Sequence, residues 1–183
     1  MHISGSIPAL VTPFQRAGAL DLVAFDALVQ WQLEEGSNGL VVGGSTGESG
    51  ALEETELASL LEVALRRAAG QVPVIAGTGG AATGKALKLC QLARKVGADA
   101  ALAVTPFYSR PTQAGMRAHF EALAEDGGLP VILYNVPGRT GVDLLPETVA
   151  QLASHPRIVG IKEAVADPAR MQAIIDAIVE VSV

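Results

Sequence analysis

A single lysine interrupts the apolar run Ile158-Val-Gly-Ile-Lys-Glu-Ala164. The run reads as a buried β-strand, and alternation puts Lys162 on the face of Ile158 and Gly160, with Val159, Ile161 and Glu163 opposite. An ammonium among apolar neighbours is costly unless it is paired or deprotonated, and a desolvated lysine is the usual nucleophile for making a Schiff base with a carbonyl. The alternative is a lysine at a strand end whose stem packs while its head reaches water.

Three other stretches carry polar groups that could do chemistry. In Gly43-Gly-Ser-Thr-Gly-Glu48 the glycines let the backbone approach a ligand, and two adjacent hydroxyls with main-chain N–H groups can receive a carboxylate. The same stretch also reads as an N-cap turn, with Ser45 or Thr46 capping the next helix. Tyr134 stands at the end of an aliphatic run, as a core residue with a satisfied hydroxyl or as a proton carrier. Gly79-Gly-Ala-Ala-Thr-Gly-Lys85 has the spacing of a phosphate-binding loop, but alanine at 86 removes the hydroxyl that would hold Mg²⁺. Gly77-Thr-Gly-Gly-Ala-Ala82 fits a loose dinucleotide pattern whose acidic partner, Asp99, precedes its strand rather than following it. A tight turn that starts a helix accounts for both glycine patterns.

The elements that must position these groups repeat along the chain. Six strand-sized apolar runs occur at Ile7–Val11, Gly39–Val42, Val72–Ala76, Ala100–Val104, Pro130–Leu133 and Ile158–Ile161; taking Ile7, Leu40, Val74, Ala101, Val131 and Val159 as markers, the separations are 33, 34, 27, 30 and 28 residues. A recurrence near 30 residues is the length of one βα unit. Helix-face spacing appears at Leu22, Phe25, Leu28, Val29 and Leu33, at Leu57, Leu60, Leu61, Ala64 and Leu65, and at Leu87, Cys90, Ala93 and Val96. A last helix is expected from about Pro168, with Asp167 as its N-cap.

With 49% hydrophobic residues but only 4% aromatics, the 183-residue chain builds its core from aliphatic side chains, which suits helices packed on a parallel sheet. A formal charge of -6 without any basic block argues against nucleic acid or an anionic membrane as partner. One cysteine, Cys90, excludes an internal disulfide and is expected to be buried on a helix. The first residues have no basic n-region or long apolar core, and no apolar run approaches the ~18 residues of a membrane span, so a cytoplasmic location is the expectation.

Polar or turn residues follow the carboxyl ends of most of these strands, where parallel α/β proteins keep their functional groups. Units of similar length with no topological switch favour a (β/α)8 TIM barrel over a doubly wound sheet. The expectation is a single domain over residues 1–183 with six of the eight βα units, apparently truncated after the sixth. Glu180-Val-Ser-Val183 could at most begin a seventh strand.

Taken together, Gly43-Gly-Ser-Thr-Gly-Glu48, Thr105-Pro-Phe-Tyr108, Tyr134-Asn-Val-Pro137 and Gly160-Ile-Lys-Glu163, in this order and at these separations, resemble the pyruvate-dependent class I aldolase family of dihydrodipicolinate synthases and N-acetylneuraminate lyases. The match spans the whole chain. Gly138-Arg-Thr-Gly141, Thr105-Pro-Phe-Tyr-Ser-Arg-Pro111 and Asp143-Leu-Leu-Pro-Glu147 are similar to the synthase branch, whereas Ser45-Thr46 is commoner among the lyases.

The resemblance implies a lyase in lysine (diaminopimelate) biosynthesis that condenses pyruvate with L-aspartate 4-semialdehyde. Lys162 would form the imine and Tyr134 would be the general acid/base, linked through Ser45 to Tyr108, which the family contributes across a dimer interface. Thr46 would bind the pyruvate carboxylate and Arg139 the semialdehyde carboxylate. No metal or organic cofactor is implied, and a homo-oligomer is. The positions matching the family's lysine-effector site are Leu57, Ala81 and Lys85, which lack its carboxylate, so insensitivity to L-lysine is expected. Two alternatives stay open: another pyruvate-dependent aldolase, such as a sialic-acid or sugar-acid lyase, and a catalytically inactive barrel fragment.

Overall fold

The computed structural model describes residues 3–181. Five parallel strands lie side by side in chain order: β1 (Leu40–Val42), β2 (Val74–Gly77), β3 (Ala100–Val104), β4 (Val131–Asn135) and β5 (Ile158–Glu163). Helices α1 (Leu22–Glu34), α2 (Glu54–Ala68), α3 (Thr83–Val96), α4 (Gln113–Asp126), the short α5 (Pro137–Thr140), α6 (Pro146–Ala153) and α7 (Pro168–Val181) flank and join them. Sequential parallel order with a helix in every crossover is the open form of barrel topology, without the switch of a doubly wound sheet.

The first expected strand is not a full strand. Ile7–Val11 makes one parallel bridge, Ala9 to Val41, closed by Leu10 N donating to Val41 O (2.9 Å) and Val41 N donating to Pro8 O (2.9 Å). Pro8 supplies no N–H, which removes one bond that this run could have given to the ladder. At the other end α7 continues through Val181, which leaves no seventh strand there; residues 182 and 183 lie outside the described residues.

Local chemistry sets the helix boundaries. Asp21 Oδ1 accepts from Ala24 N (2.9 Å), a reciprocal capping box joins Glu53 and Glu56, and Asp167 Oδ1 accepts from Ala169 N (3.0 Å) at the expected start of α7. Gly97 closes α3 in the left-handed conformation at φ 110°. Among the described residues no helix is long and apolar enough to cross a membrane.

Alternation along the strands divides the core into two layers. Leu40, Val42, Val74, Ala76, Ala101, Ala103, Val131 and Leu133 pack under the helices, together with Cys90 of α3. Val41, Ile75, Ala100, Leu102, Ile132 and Tyr134 form the smaller inner layer, backed by Ile3 and Ile7. Between α3 and α4, the buried His119 shares a hydrogen bond with the Thr83 hydroxyl through Nδ1 (2.9 Å) and sets its ring edge-on to Phe120. Its Nε2 has no partner among the described residues, and burial pushes its pKa from 6.5 down to about 4.

Candidate active site

Tyr134 and Lys162 occupy the same level of neighbouring strands, as paired residues at the carboxyl ends of β4 and β5. The Lys162 Nζ stands over the Tyr134 ring, 4.7 Å from its centroid. Both face the inner layer, where strand ends converge.

Two expectations for Lys162 need correction. The ladder is irregular between Val131 and Ile132: Val131 pairs with Ile158, but Ile132 pairs with Gly160, so Val159 is bulged out. The extra residue breaks the alternation, and Ile158 joins Ile161 in the helix-facing core instead of sharing a side with Lys162. Lys162 is also exposed rather than packed among apolar groups, because the outer edge of β5 carries no further strand among the described residues. The described residues therefore do not supply the desolvation expected for an imine-forming lysine.

The hydroxyl loop after β1 is built by contacts rather than capping. Ser45–Gly47 form one 3₁₀ turn, ended by Glu48 at φ 59°, and Thr12 donates to Gly47 O (2.7 Å), tying the loop to the Ile7–Val11 segment. A Cβ at Gly47 would come 2.9 Å from Leu10 O, so only glycine permits this approach. Neither Ser45 nor Thr46 caps α2, which starts eight residues after Thr46 with its own capping box. Ser45 is half-buried, and Thr46 is exposed.

The glycines at the end of β2 and just beyond it have a packing role. A side chain at Gly77 would fall on the Gly43 backbone, and one at Gly79 on the backbone of Val104, so these residues allow three strand ends to meet closely. This accounts for the turn without a nucleotide. Among the described residues no group of three or more His, Cys, Asp or Glu side chains is placed to hold a metal ion.

A cavity of about 460 Å³ opens over the loops that follow β1 to β4. Ser45, Phe107 and Arg139 line it, as do Leu57, Ala81 and Lys85, so the three positions singled out for effector binding lie around one space. Lys162, Tyr134 and Thr46 do not line it. Arg139 is exposed on α5, one turn beyond Tyr134. Tyr108 is 93% exposed with φ 70°, a left-handed conformation unusual for a tyrosine, and no hydrogen bond joins it to Ser45 or Tyr134 among the described residues. The structure thus pairs Tyr134 with Lys162 and gathers Ser45 with Arg139, but it does not close the expected hydroxyl relay.

One group of residues was not singled out as a unit by the sequence. Behind Lys162, Asn135 Nδ2 donates to Glu163 Oε1 and Oε2 (3.1 and 3.0 Å) and to Asp143 Oδ1 (2.8 Å), while Asn135 Oδ1 accepts from Leu144 N (3.0 Å). Arg170 of α7 forks onto Asp143 (3.0 and 2.8 Å) and sets Nε 3.4 Å from Glu163 Oε2. Asn135 and Glu163 stood in motifs already noted, but Arg170 had no local signal.

A sheet of five sequential parallel βα units with polar side chains gathered at the carboxyl ends of its strands has the topology of part of a (β/α)8 barrel. The dihydrodipicolinate synthetase family model matches residues 2–181, and the chain belongs to that family. It is 57% identical over 175 residues to the 4-hydroxy-tetrahydrodipicolinate synthase of Xanthomonas axonopodis pv. citri and 55% identical to that of Stenotrophomonas maltophilia strain R551-3, covering 96% of this chain in each case. The chain spans 58% and 59% of the length of those relatives. Among solved structures, the chloride-inhibited dihydrodipicolinate synthase of Acinetobacter baumannii complexed with pyruvate superimposes with a TM-score of 0.95 at 47% identity, covering 98% of this chain and 62% of that one. A monomeric dihydrodipicolinate synthase variant matches with a TM-score of 0.93 at 43% identity, covering 97% and 59%.

Proposed function

We propose that this chain carries the imine-forming part of a 4-hydroxy-tetrahydrodipicolinate synthase. The observation that carries the reading is the pairing of Lys162 with Tyr134, an amine and a phenol set side by side at adjacent strand ends. Such a pair supplies both the nucleophile and the proton carrier that carbonyl condensation requires. The relatives named as this synthase support it, as does the pyruvate complex of the Acinetobacter protein.

In this reading the Lys162 amine adds to the keto carbon of pyruvate and water leaves, giving an imine. Removal of a methyl proton then gives an enamine. The enamine carbon bonds to the aldehyde carbon of L-aspartate 4-semialdehyde, and Tyr134 delivers the proton to the new hydroxyl. Ring closure by the substrate's own amine displaces Lys162. Ser45 and Tyr108 would complete the proton relay, with Tyr108, turned outward on its own chain, acting on a neighbouring copy in a homo-oligomer. Thr46 and Arg139 would receive the two substrate carboxylates. In this reading residues 1–183 form a single, incomplete (β/α) barrel domain of a cytoplasmic biosynthetic enzyme.

Reductive trapping tests this reading: the chain is incubated with pyruvate and borohydride, and the adduct is located by intact mass and peptide mapping. Adduct on Lys162 is expected; well-folded chain without adduct overturns the reading and favours the inactive-fragment alternative, for which the exposure of Lys162 is the supporting observation. Ser45-Thr46 favours a lyase for sugar acids as the second reading within the family, and faster turnover of such an acid than of the semialdehyde would select it.

A further inference from the structure

The residue pair directly beyond Tyr134 and Lys162 in the β4–β5 ladder is Asn135 and Glu163. Alternation turns this pair to the opposite face, toward α6 and α7. There it enters the polar cluster described above, which also holds Asp143, Leu144 and Arg170. Asn135 is fully buried, and the side chains of Glu163 and Arg170 are only 1% and 12% exposed. Further bonds fix the strand end itself: Val165 N donates to Glu163 Oε1 (2.9 Å) and Ala164 N donates to Asn135 O (3.0 Å).

Buried charges contribute little net stability compared with apolar residues of the same size, yet each is costly if its partner is lost. Their effect is directional: a hydrogen-bonded network limits the arrangements open to its members, and here only the Arg170 Nε, an ion-pair distance from Glu163, makes no hydrogen bond among the described residues. Here that arrangement links four parts of the chain, the ends of β4 and β5, the segment before α6, and the first turn of α7. The link falls where β5 most needs one. This strand is bulged at Val159 and is paired on only one side among the described residues, so backbone hydrogen bonds alone leave its carboxyl end weakly held in register.

We propose that Glu163, Asn135, Asp143 and Arg170 are positioning residues that hold the Lys162 Nζ against Tyr134 for attack on a 2-oxo acid. The proposal rests on the reading of Lys162 as the reacting amine. None of the four touches the reacting atoms; they act through the strand that carries the lysine.

The test uses the same 183-residue chain and three variants: Glu163→Gln, Arg170→Met and the milder Asp143→Asn, whose half-exposed side chain leaves the fold intact if the buried changes do not. Trapping by pyruvate and borohydride is measured per folded molecule across pyruvate concentrations. A displacement of the amine by about 1 Å slows reaction by up to about 100-fold, so trapping at saturating pyruvate is expected to fall roughly tenfold or more in Glu163→Gln and Arg170→Met. The half-saturating concentration stays near that of the parent, because the carboxylate receiver Thr46 lies on another loop. Arg170→Lys, which keeps the charge, recovers part of the loss.

A second readout needs no substrate. The Lys162 side chain sits in the ring current of Tyr134, so its Cε–H resonance is shifted upfield in the parent, and the network variants move it toward the value of a free lysine. If the parent gives no adduct, the proposed function fails while this shift still decides the positioning role. Folded variants with parental trapping rates and an unmoved Lys162 resonance would overturn the proposal.

Discussion

Lys162 lies across the β4–β5 ladder from Tyr134, with its Nζ 4.7 Å from the centre of the aromatic ring. Tyr134 is 8% exposed and packs in the inner layer, whereas the lysine is open to solvent. The tyrosine is therefore held by packing and the lysine through the strand that carries it, which separates what each contributes.

Replacing Tyr134 by phenylalanine keeps the ring under the ammonium and removes only the hydroxyl. Trapping of pyruvate is expected to slow by about 100-fold, the typical share of a positioned acid/base group, with little change in urea stability. Tyr134→Ala removes the ring as well and costs about 3–5 kcal/mol. Equal trapping rates for parent and Tyr134→Phe would remove the hydroxyl from the mechanism.

Lys162→Ala is expected to abolish the adduct while changing unfolding free energy by less than about 1 kcal/mol, the worth of an exposed cation over an aromatic face. Thermal melts and intact mass measure the two effects on one sample. A large loss of stability would show that Lys162 is a packing residue.

His119 should make the chain acid-sensitive in a defined window. Its folded pKa is lowered to about 4 from 6.5 by burial, so the unfolded chain binds the proton more readily. Its contribution is complete above pH 6.5 and is lost as the pH falls from there toward 4, on the order of 3 kcal/mol in all. Urea titrations of parent and His119→Gln across this range should differ in slope, the parent losing stability faster on acidification. Parallel slopes would remove His119 as the cause.

The cavity lined by Leu57, Ala81 and Lys85 offers a cationic effector no carboxylate at these three positions. L-lysine at millimolar concentration is expected to leave the melting temperature unchanged, since a ligand that binds only the folded chain raises it. A concentration-dependent rise would refute the predicted insensitivity.

The strands were legible because a buried parallel strand must be a short aliphatic run between turns: Ala100–Val104 is the same in sequence and structure, and Pro130–Leu133 needed only a shift toward Asn135. Asp167 was legible as a cap because its bond is local. Two features were not. The bulge at Val159 depends on how β5 meets β4, and Gly160 beside it was the only hint in the sequence. Arg170 joins Asp143 across 27 residues, a distance at which no spacing rule operates. Ile7–Val11 was read as a full strand because apolar content dominated, although Pro8 limits the hydrogen bonds it can make.

The two tyrosines of this chain differ as much as two tyrosines can in their access to a reagent: Tyr108 is 93% exposed and Tyr134 is 8% exposed. Nitration with tetranitromethane should therefore label Tyr108 first and Tyr134 slowly. Association of copies over Tyr108 would appear as protection of that ring alone, and loosening of β4 as labelling of the other, so a single digest followed by mass spectrometry reports assembly and core integrity on separate peptides.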